Sequence, residues 1–185
     1  MFWDIKGIQN IEMPLSWFKQ RIQVYDLKYL RYVYISHGKK RFEGVYGLCR
    51  YPDFKVPYYR ISCYLPGPFP SCVISENKGM VFKDHTKGWP SEFKNKKPTS
   101  NGRIKLEGKF TYWRRYLAYI TLQTQDEALI WILGHEFFHF LKHSKQIAGR
   151  NYEWQADQYA DSLLEEYKNH LTTKPTNLMF TGSYY

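Results

Sequence analysis

Residues that could carry out chemistry lie close together in the stretch 131–143, WILGHEFFHFLKH. His135 and His139 are four residues apart, so on a helix they lie one above the other on the same face. Both imidazoles can then bind one metal ion. Glu136 is too far round the helix to be a third ligand, but it can lie over the open side where water binds. This HExxH spacing predicts one zinc ion per chain, with Glu136 as the general base.

Two histidines hold zinc poorly, so a third ligand must come from elsewhere in the chain. A continuation of the motif to HExxHxxGxxH is excluded, because Lys142 and Lys145 occupy its glycine and last histidine positions. His143 is one turn beyond His139, and the polarity of a helix end accounts for it. No other histidine occurs before His170.

Acidic side chains recur at every fourth residue further along the chain, at Glu153, Asp157 and Asp161. Like charges at this spacing repel one another and weaken a free helix, whereas a nearby cation would attract them. We therefore assign Glu153 as the third ligand and Asp157 as the acceptor of a ligand histidine's outer N–H. The alternatives are a chance HExxH match in a core helix and solvent-facing carboxylates. A chance match would leave polar groups buried without partners, at a high cost.

Composition indicates one folded domain. The chain has 185 residues, of which 43% are hydrophobic and 19% aromatic, and we expect a domain over 1–170 with a C-terminal tail over 171–185. No apolar run reaches 18 residues, so no membrane association is expected. The start lacks the features of a signal peptide, and the three cysteines form no CxxC pair. These features predict a cytoplasmic protein.

The net charge of +10 is unevenly distributed. Residues 78–109 contain nine Lys or Arg against three Asp or Glu, whereas residues 126–167 contain three against eight. The polar segment at about 77–109 is predicted to be an irregular basic insertion. It could contact nucleic acid through Lys94, Lys96 and Lys97, or it could be a solvated lysine loop.

Hydrophobic periodicity predicts the elements that position these residues. A helix is expected over 14–29 and strands over 31–36, 42–51, 58–65 and 72–76, while 110–122 could be a strand or the start of a helix. Thr124 and Glu127 form a capping box for the histidine helix, which runs to about Ser144. Asn151 is expected to cap a second helix over 152–167. The predicted fold is α+β, with a small antiparallel sheet packed on the histidine helix.

The motif His135-Glu136-x-x-His139 followed by Glu153-x-x-Ala156-Asp157 resembles the gluzincin metallopeptidases. The fuller runs HEFFHFLKH and EWQADQYADSLL are most similar to the ImmA/IrrE-type peptidases. The strands before the HExxH helix resemble, more weakly, those of SprT-like proteases, which use a later histidine as third ligand. The resemblance covers about 45 residues and does not extend to the N-terminal part of the chain.

This resemblance implies a zinc metalloprotease that hydrolyses an intracellular protein, such as a regulator of transcription or a DNA-bound protein. It also implies a Tyr or His that stabilises the oxyanion, for which Tyr159, Tyr167 and His170 are available. An extended substrate could pair with the strand predicted at 72–76. The rival hypothesis is a zinc-containing module that binds nucleic acid or protein and has weak or lost peptidase activity.

Overall fold

The computed structural model describes residues 1–38, 46–84, 100–106 and 109–173. Its elements, in chain order, are β1 (Phe2–Lys6), α1 (Glu12–Ile22), β2 (Leu30–His37), β3 (Gly47–Arg50), β4 (Tyr59–Leu65), β5 (Ser71–Asp84), β6 (Ser100–Leu106), β7 (Lys109–Leu122), α2 (Gln125–His143) and α3 (Glu153–Thr173). The strands form two sheets, and the two long helices follow them in the chain. The predicted α+β class is therefore confirmed.

The first sheet has the strand order β1-β2-β4-β3. β1 and β4 both run parallel to β2, and only β3 is antiparallel to its neighbour β4. The predicted antiparallel sheet is thus corrected to a mixed one. The physical reason is the length of the connections. Residues 7–29, which include α1, and residues 38–58, which include β3, are long enough to bring each next strand back in the same direction.

The second sheet is antiparallel and has the order β5-β7-β6. The prediction of an irregular insertion at about 77–109 is wrong at its two ends. Strand β5 extends to Asp84, and strand β6 begins at Ser100. Residues 85–99 of that prediction lie outside the described residues. The long β7 is a strand, which resolves the alternative left open by its pattern. Strand β7 pairs with β5 on one side and with β6 on the other. The backbone hydrogen bonds of this pairing offset the weak strand preference of the polar residues in β5 and β6.

Helix α2 begins at the predicted capping box. The Thr124 hydroxyl accepts a hydrogen bond from the Glu127 backbone N–H at 3.2 Å. The Glu127 carboxylate in turn accepts the backbone N–H of Gln123 at 2.8 Å. These bonds satisfy donors at the helix start that have no partner within the helix. The predicted helix start is therefore confirmed.

Helix α2 packs between the first sheet and α3. It contacts β3 and β4 on one side and α3 along the other. Gly134 of α2 faces α3 so closely that a Cβ there would lie 3.3 Å from the Ala160 Cα. Because both residues are small, the two helices can approach each other and bring the start of α3 beside the histidines.

The other helices differ from the predicted bounds. α1 ends at Ile22 rather than at residue 29, because the chain turns there toward β2. α3 continues to Thr173, so the first residues of the predicted tail are helical. Residues 174–185 lie outside the described part of the chain, and the predicted domain over 1–170 stays a prediction. None of the described helices is both long and apolar enough to cross a bilayer.

Candidate metal centre

Three side chains from two helices converge at one point. On α2, the Nε2 atoms of His135 and His139 are 3.0 Å apart. At the start of α3, Glu153 Oε2 lies 3.2 Å from His135 Nε2 and 3.4 Å from His139 Nε2. These three residues, the ligand group, can therefore hold one metal ion, as the sequence predicted.

A tetrahedral zinc ion requires its ligand atoms to lie at a defined distance from one another. Ligand atoms at about 2.05 Å from a tetrahedral ion lie roughly 3.3 Å from one another. The three separations within the ligand group fall around this value. Two imidazole nitrogens and one carboxylate oxygen are also the donors of catalytic zinc sites that keep a fourth position for water. The residues present therefore fit a zinc ion in both geometry and chemistry.

The outer ring nitrogens of both histidines face acceptors. His135 Nδ1 is 2.8 Å from Asp157 Oδ1, and His139 Nδ1 is 2.8 Å from Asn151 Oδ1. Each Nδ1 can therefore keep its proton, so that both Nε2 atoms direct their lone pairs toward the Glu153 carboxylate. Three electron-rich atoms at this distance repel one another unless positive charge lies between them.

The pKa values of His135 and Glu153 also indicate that positive charge stabilises the ligand group. Burial opposes the charged form of His135, but hydrogen bonds to Asp157 and Glu153 outweigh it and raise the pKa of His135 to about 10. Hydrogen bonds from His135 and His139 hold the pKa of the Glu153 carboxyl well below its usual range. The ligand group therefore attracts either protons or a metal ion, and metal binding must displace protons.

Each acidic residue on the inner edge of α3 meets a different polar group of α2. Asp161 accepts the indole N–H of Trp131 at 2.9 Å, Asp157 faces His135, and Glu153 lies between the two histidines. From Glu153 to Asp161 along α3, the partner residues on α2 go from His139 back to Trp131. The spacing of four on α3 thus matches the spacing of four on α2, which explains why the acidic residues recur in that pattern.

A chain of contacts that the sequence analysis did not predict supports His139. Asn151 lies in the connection before α3 and does not cap that helix. Its Oδ1 faces His139, and its Nδ2 donates to the Tyr51 hydroxyl at 3.1 Å. The Tyr51 ring stacks on His143 with 4.0 Å between ring centroids, and His143 Nδ1 is 2.7 Å from the Tyr59 hydroxyl. These contacts join distant parts of the chain, so no local spacing could have revealed them.

Glu136 lies beside the ligand group without joining it. Its Oε1 is 4.0 Å from His135 Nε2, and the residue is only 6% exposed. Burial raises the pKa of the Glu136 carboxyl, although charge on His135 and His139 opposes this rise. A buried carboxyl whose pKa is raised is suited both to accept and to return a proton.

A cavity of about 470 Å³ opens beside the ligand group and Glu136. Its lining includes the apolar residues Val73, Ile74, Trp131 and Ile132. The first two come from β5, which pairs only with β7 among the described residues. Tyr46 and Tyr51 also line this cavity. The site thus combines polar groups with apolar lining residues, as small-molecule and peptide sites commonly do.

The structure does not bring Tyr159, one of the three predicted oxyanion donors, into this cavity. Its ring packs against Phe138, with 5.7 Å between ring centroids. Burial and a hydrogen bond to Tyr25 raise the pKa of the Tyr159 hydroxyl. This side chain therefore contributes to the packing between helices, and it is no longer a candidate oxyanion donor.

Tyr167 and His170, the other two predicted donors, lie far along α3. At 1.5 Å per residue they are about 21 and 25 Å from Glu153 along the helix axis. The Tyr167 hydroxyl donates to Asp126 at 3.0 Å, and the His170 ring lies 6.5 Å from the Trp17 ring. Neither residue is therefore a candidate oxyanion donor, because the rise of the helix carries both away from the ligand group.

The predicted nucleic-acid contacts, Lys94, Lys96 and Lys97, lie outside the described residues. Nucleic-acid binding through the basic segment therefore stays a prediction. Comparison with protein-family models, with curated proteins and with solved structures finds no match to this chain. The His135, His139 and Glu153 group is consistent with an HExxH-type site on its own geometry.

Proposed function

We propose that this protein is a zinc-dependent peptidase. The observation that carries the proposal is the placement of a buried carboxylate, Glu136, next to a ligand group with tetrahedral spacing and beside an open cavity. A site that only stabilised the fold would need four protein ligands and no adjacent base. Here His135, His139 and Glu153 would hold the ion as three protein ligands, which would leave one position for water.

The chain's own residues supply the proton transfers. A bound zinc ion would lower the pKa of water toward about 7 and polarise the scissile carbonyl. Glu136 accepts a proton from the attacking water as the carbon–oxygen bond forms. It then gives that proton to the amine nitrogen as the carbon–nitrogen bond breaks. Asp157 and Asn151 hold the two histidines in the ring orientation that this arrangement needs.

The cavity favours a peptide with a bulky apolar residue next to the scissile bond, because its lining includes the apolar residues Val73, Ile74, Trp131 and Ile132. The three cysteines, Cys49, Cys63 and Cys72, form no disulfide, which is typical of a reducing compartment. We therefore propose an intracellular protein as the substrate. The resemblance to ImmA/IrrE-type peptidases supports a regulator of transcription.

The test of this function is metal-dependent hydrolysis. Zinc-loaded protein is incubated with a degenerate peptide library, and the products are identified by mass spectrometry. We expect cleavage next to bulky apolar residues, loss of cleavage after chelation with 1,10-phenanthroline, and recovery on adding zinc. A protein that carries one zinc per chain and cleaves no peptide of the library would contradict the proposal.

Tyr51 lines the cavity and its hydroxyl is held by Asn151, and we expect it to stabilise the oxyanion. Asn151 donates to its oxygen, which leaves the hydroxyl proton available to the substrate. Tyr51→Phe should lower kcat by about 100-fold with little change in KM, since an oxyanion donor acts mainly in the transition state. Steady-state kinetics on a library substrate provide the measurement. Tyr29→Phe, an exposed tyrosine elsewhere, is the matched control. An unchanged kcat in Tyr51→Phe would remove Tyr51 from the mechanism.

A further inference from the structure

Gly47, at the start of the edge strand β3, lies against the side chain of Glu136. A Cβ built on Gly47 would be 2.2 Å from Glu136 Oε1, 2.6 Å from its Cγ and 2.7 Å from its Cδ. Non-bonded atoms do not approach this closely, since contacts between carbon atoms are near 3.5–4.0 Å. The Glu136 carboxylate therefore fills the space that a side chain at position 47 would occupy.

The backbone gives no separate reason for glycine at this position. Gly47 has no positive φ, in contrast to Gly7 and Gly149. It pairs in regular antiparallel register with Cys63 of β4. Glycine weakens a strand interior, because it loses more conformational freedom on folding and has no side chain to pack. What this position gains from glycine is room for the carboxylate.

A second residue of the same strand also lies beside Glu136. The polar backbone of Cys49 is close enough to the Glu136 carboxyl to lower its pKa, although burial raises that pKa more. Cys49 is two residues from Gly47, so both lie on the same face of β3. The strand thus gives the carboxylate an open space at residue 47 and a polar backbone beside it at residue 49.

We propose that Gly47 is a positioning residue, which keeps the Glu136 carboxylate on the open side of the ligand group. The role of Glu136 as general base rests on the proposed function, whereas the contact between residues 47 and 136 does not. With Ala at position 47, the carboxylate must swing away from β3. The three atoms nearest a Cβ at Gly47 all belong to Glu136 and none to a ligand residue, so metal binding should be unaffected.

A double-mutant cycle in thermal stability tests the contact without any assay of activity. Gly47→Ala is made in the wild-type chain and in Glu136→Ala, and the melting temperature of each zinc-loaded protein is measured. We expect Gly47→Ala to lower the melting temperature by a few degrees when Glu136 is present. In the Glu136→Ala background it should raise it by about 2–4 °C, since alanine suits a strand better than glycine. Equal shifts in the two backgrounds would overturn the contact.

Kinetics test the positioning role. Gly47→Ala should lower kcat by about 100-fold, because displacing a catalytic group by 1 Å can cost that much. KM and the zinc content should not change. The matched control is Gly67→Ala, since a Cβ at Gly67 would have nothing within 4 Å. Normal kcat in Gly47→Ala, together with a positive melting cycle, would show that the contact exists but does not position the base. A wild-type protein that hydrolyses no peptide would contradict the proposed function. The double-mutant cycle in melting temperature would still test the contact between residues 47 and 136.

Discussion

Replacing Glu136 by Gln should abolish hydrolysis while the protein keeps its metal. The amide has nearly the same size as the carboxylate, so it still fits beside Gly47, but it cannot accept the proton of water. General-base catalysis contributes about 10²–10⁴-fold to rates, and we expect kcat to fall by about 10³-fold or more. His135, His139 and Glu153 are unchanged, so zinc content should stay at that of the wild type.

The measurement pairs peptide cleavage with metal analysis of the same sample. Glu165→Gln is a matched control, because Glu165 is an exposed residue of α3 on which no part of the mechanism depends. The control should cleave at the wild-type rate. Cleavage by Glu136→Gln at that rate would show that another group takes the proton, and the assignment of the base would then be wrong.

Replacing Glu153 by Ala should remove the metal. Two imidazoles remain, and they hold zinc poorly without a third protein ligand. Loss of even an outer hydrogen-bonding partner costs about 10–100-fold in metal affinity, so loss of a direct ligand should cost more than about 100-fold. After dialysis against a weak chelator, the variant should contain almost no zinc while the wild type retains about one ion per chain.

Thermal stability gives a second measurement of the same change. Zinc that binds only the folded state stabilises it in proportion to the logarithm of its concentration relative to Kd. Added zinc should therefore raise the melting temperature of the wild type and leave that of Glu153→Ala nearly unchanged. Glu165→Ala should respond as the wild type does. A Glu153→Ala protein that retained one zinc per chain would show that the third ligand is another residue.

The ligand group was predictable because its geometry is mainly local. On any α-helix, residues four apart share a face, so HEFFH places two imidazoles together whatever surrounds them. Thr124 and Glu127 likewise define a helix start by bonds within a few residues. The acidic repeat at Glu153 indicated a ligand, because like charges in a row need a cation or partners across a helix interface.

The oxyanion donors could not be predicted in the same way. Tyr159, Tyr167 and His170 follow the ligand in sequence, but the helical rise carries the last two away and packing orients the first toward Tyr25. Tyr51, which does line the cavity, bonds with Asn151, about a hundred residues away in the chain. Sequence order does not report such a distance in space.

The sequence by itself thus predicted the grouping of His135, His139 and Glu153 from two helices and the α+β class, since each depends on periodicity or spacing within one element. Only the tertiary structure decided the mixed order of the first sheet, the extension of β5 and β6, and the contacts of Glu136 with β3. These depend on which backbone edges pair and which surfaces meet across long loops. Pairing of that kind is a property of the whole chain, because any one strand carries a pattern that several partners could satisfy.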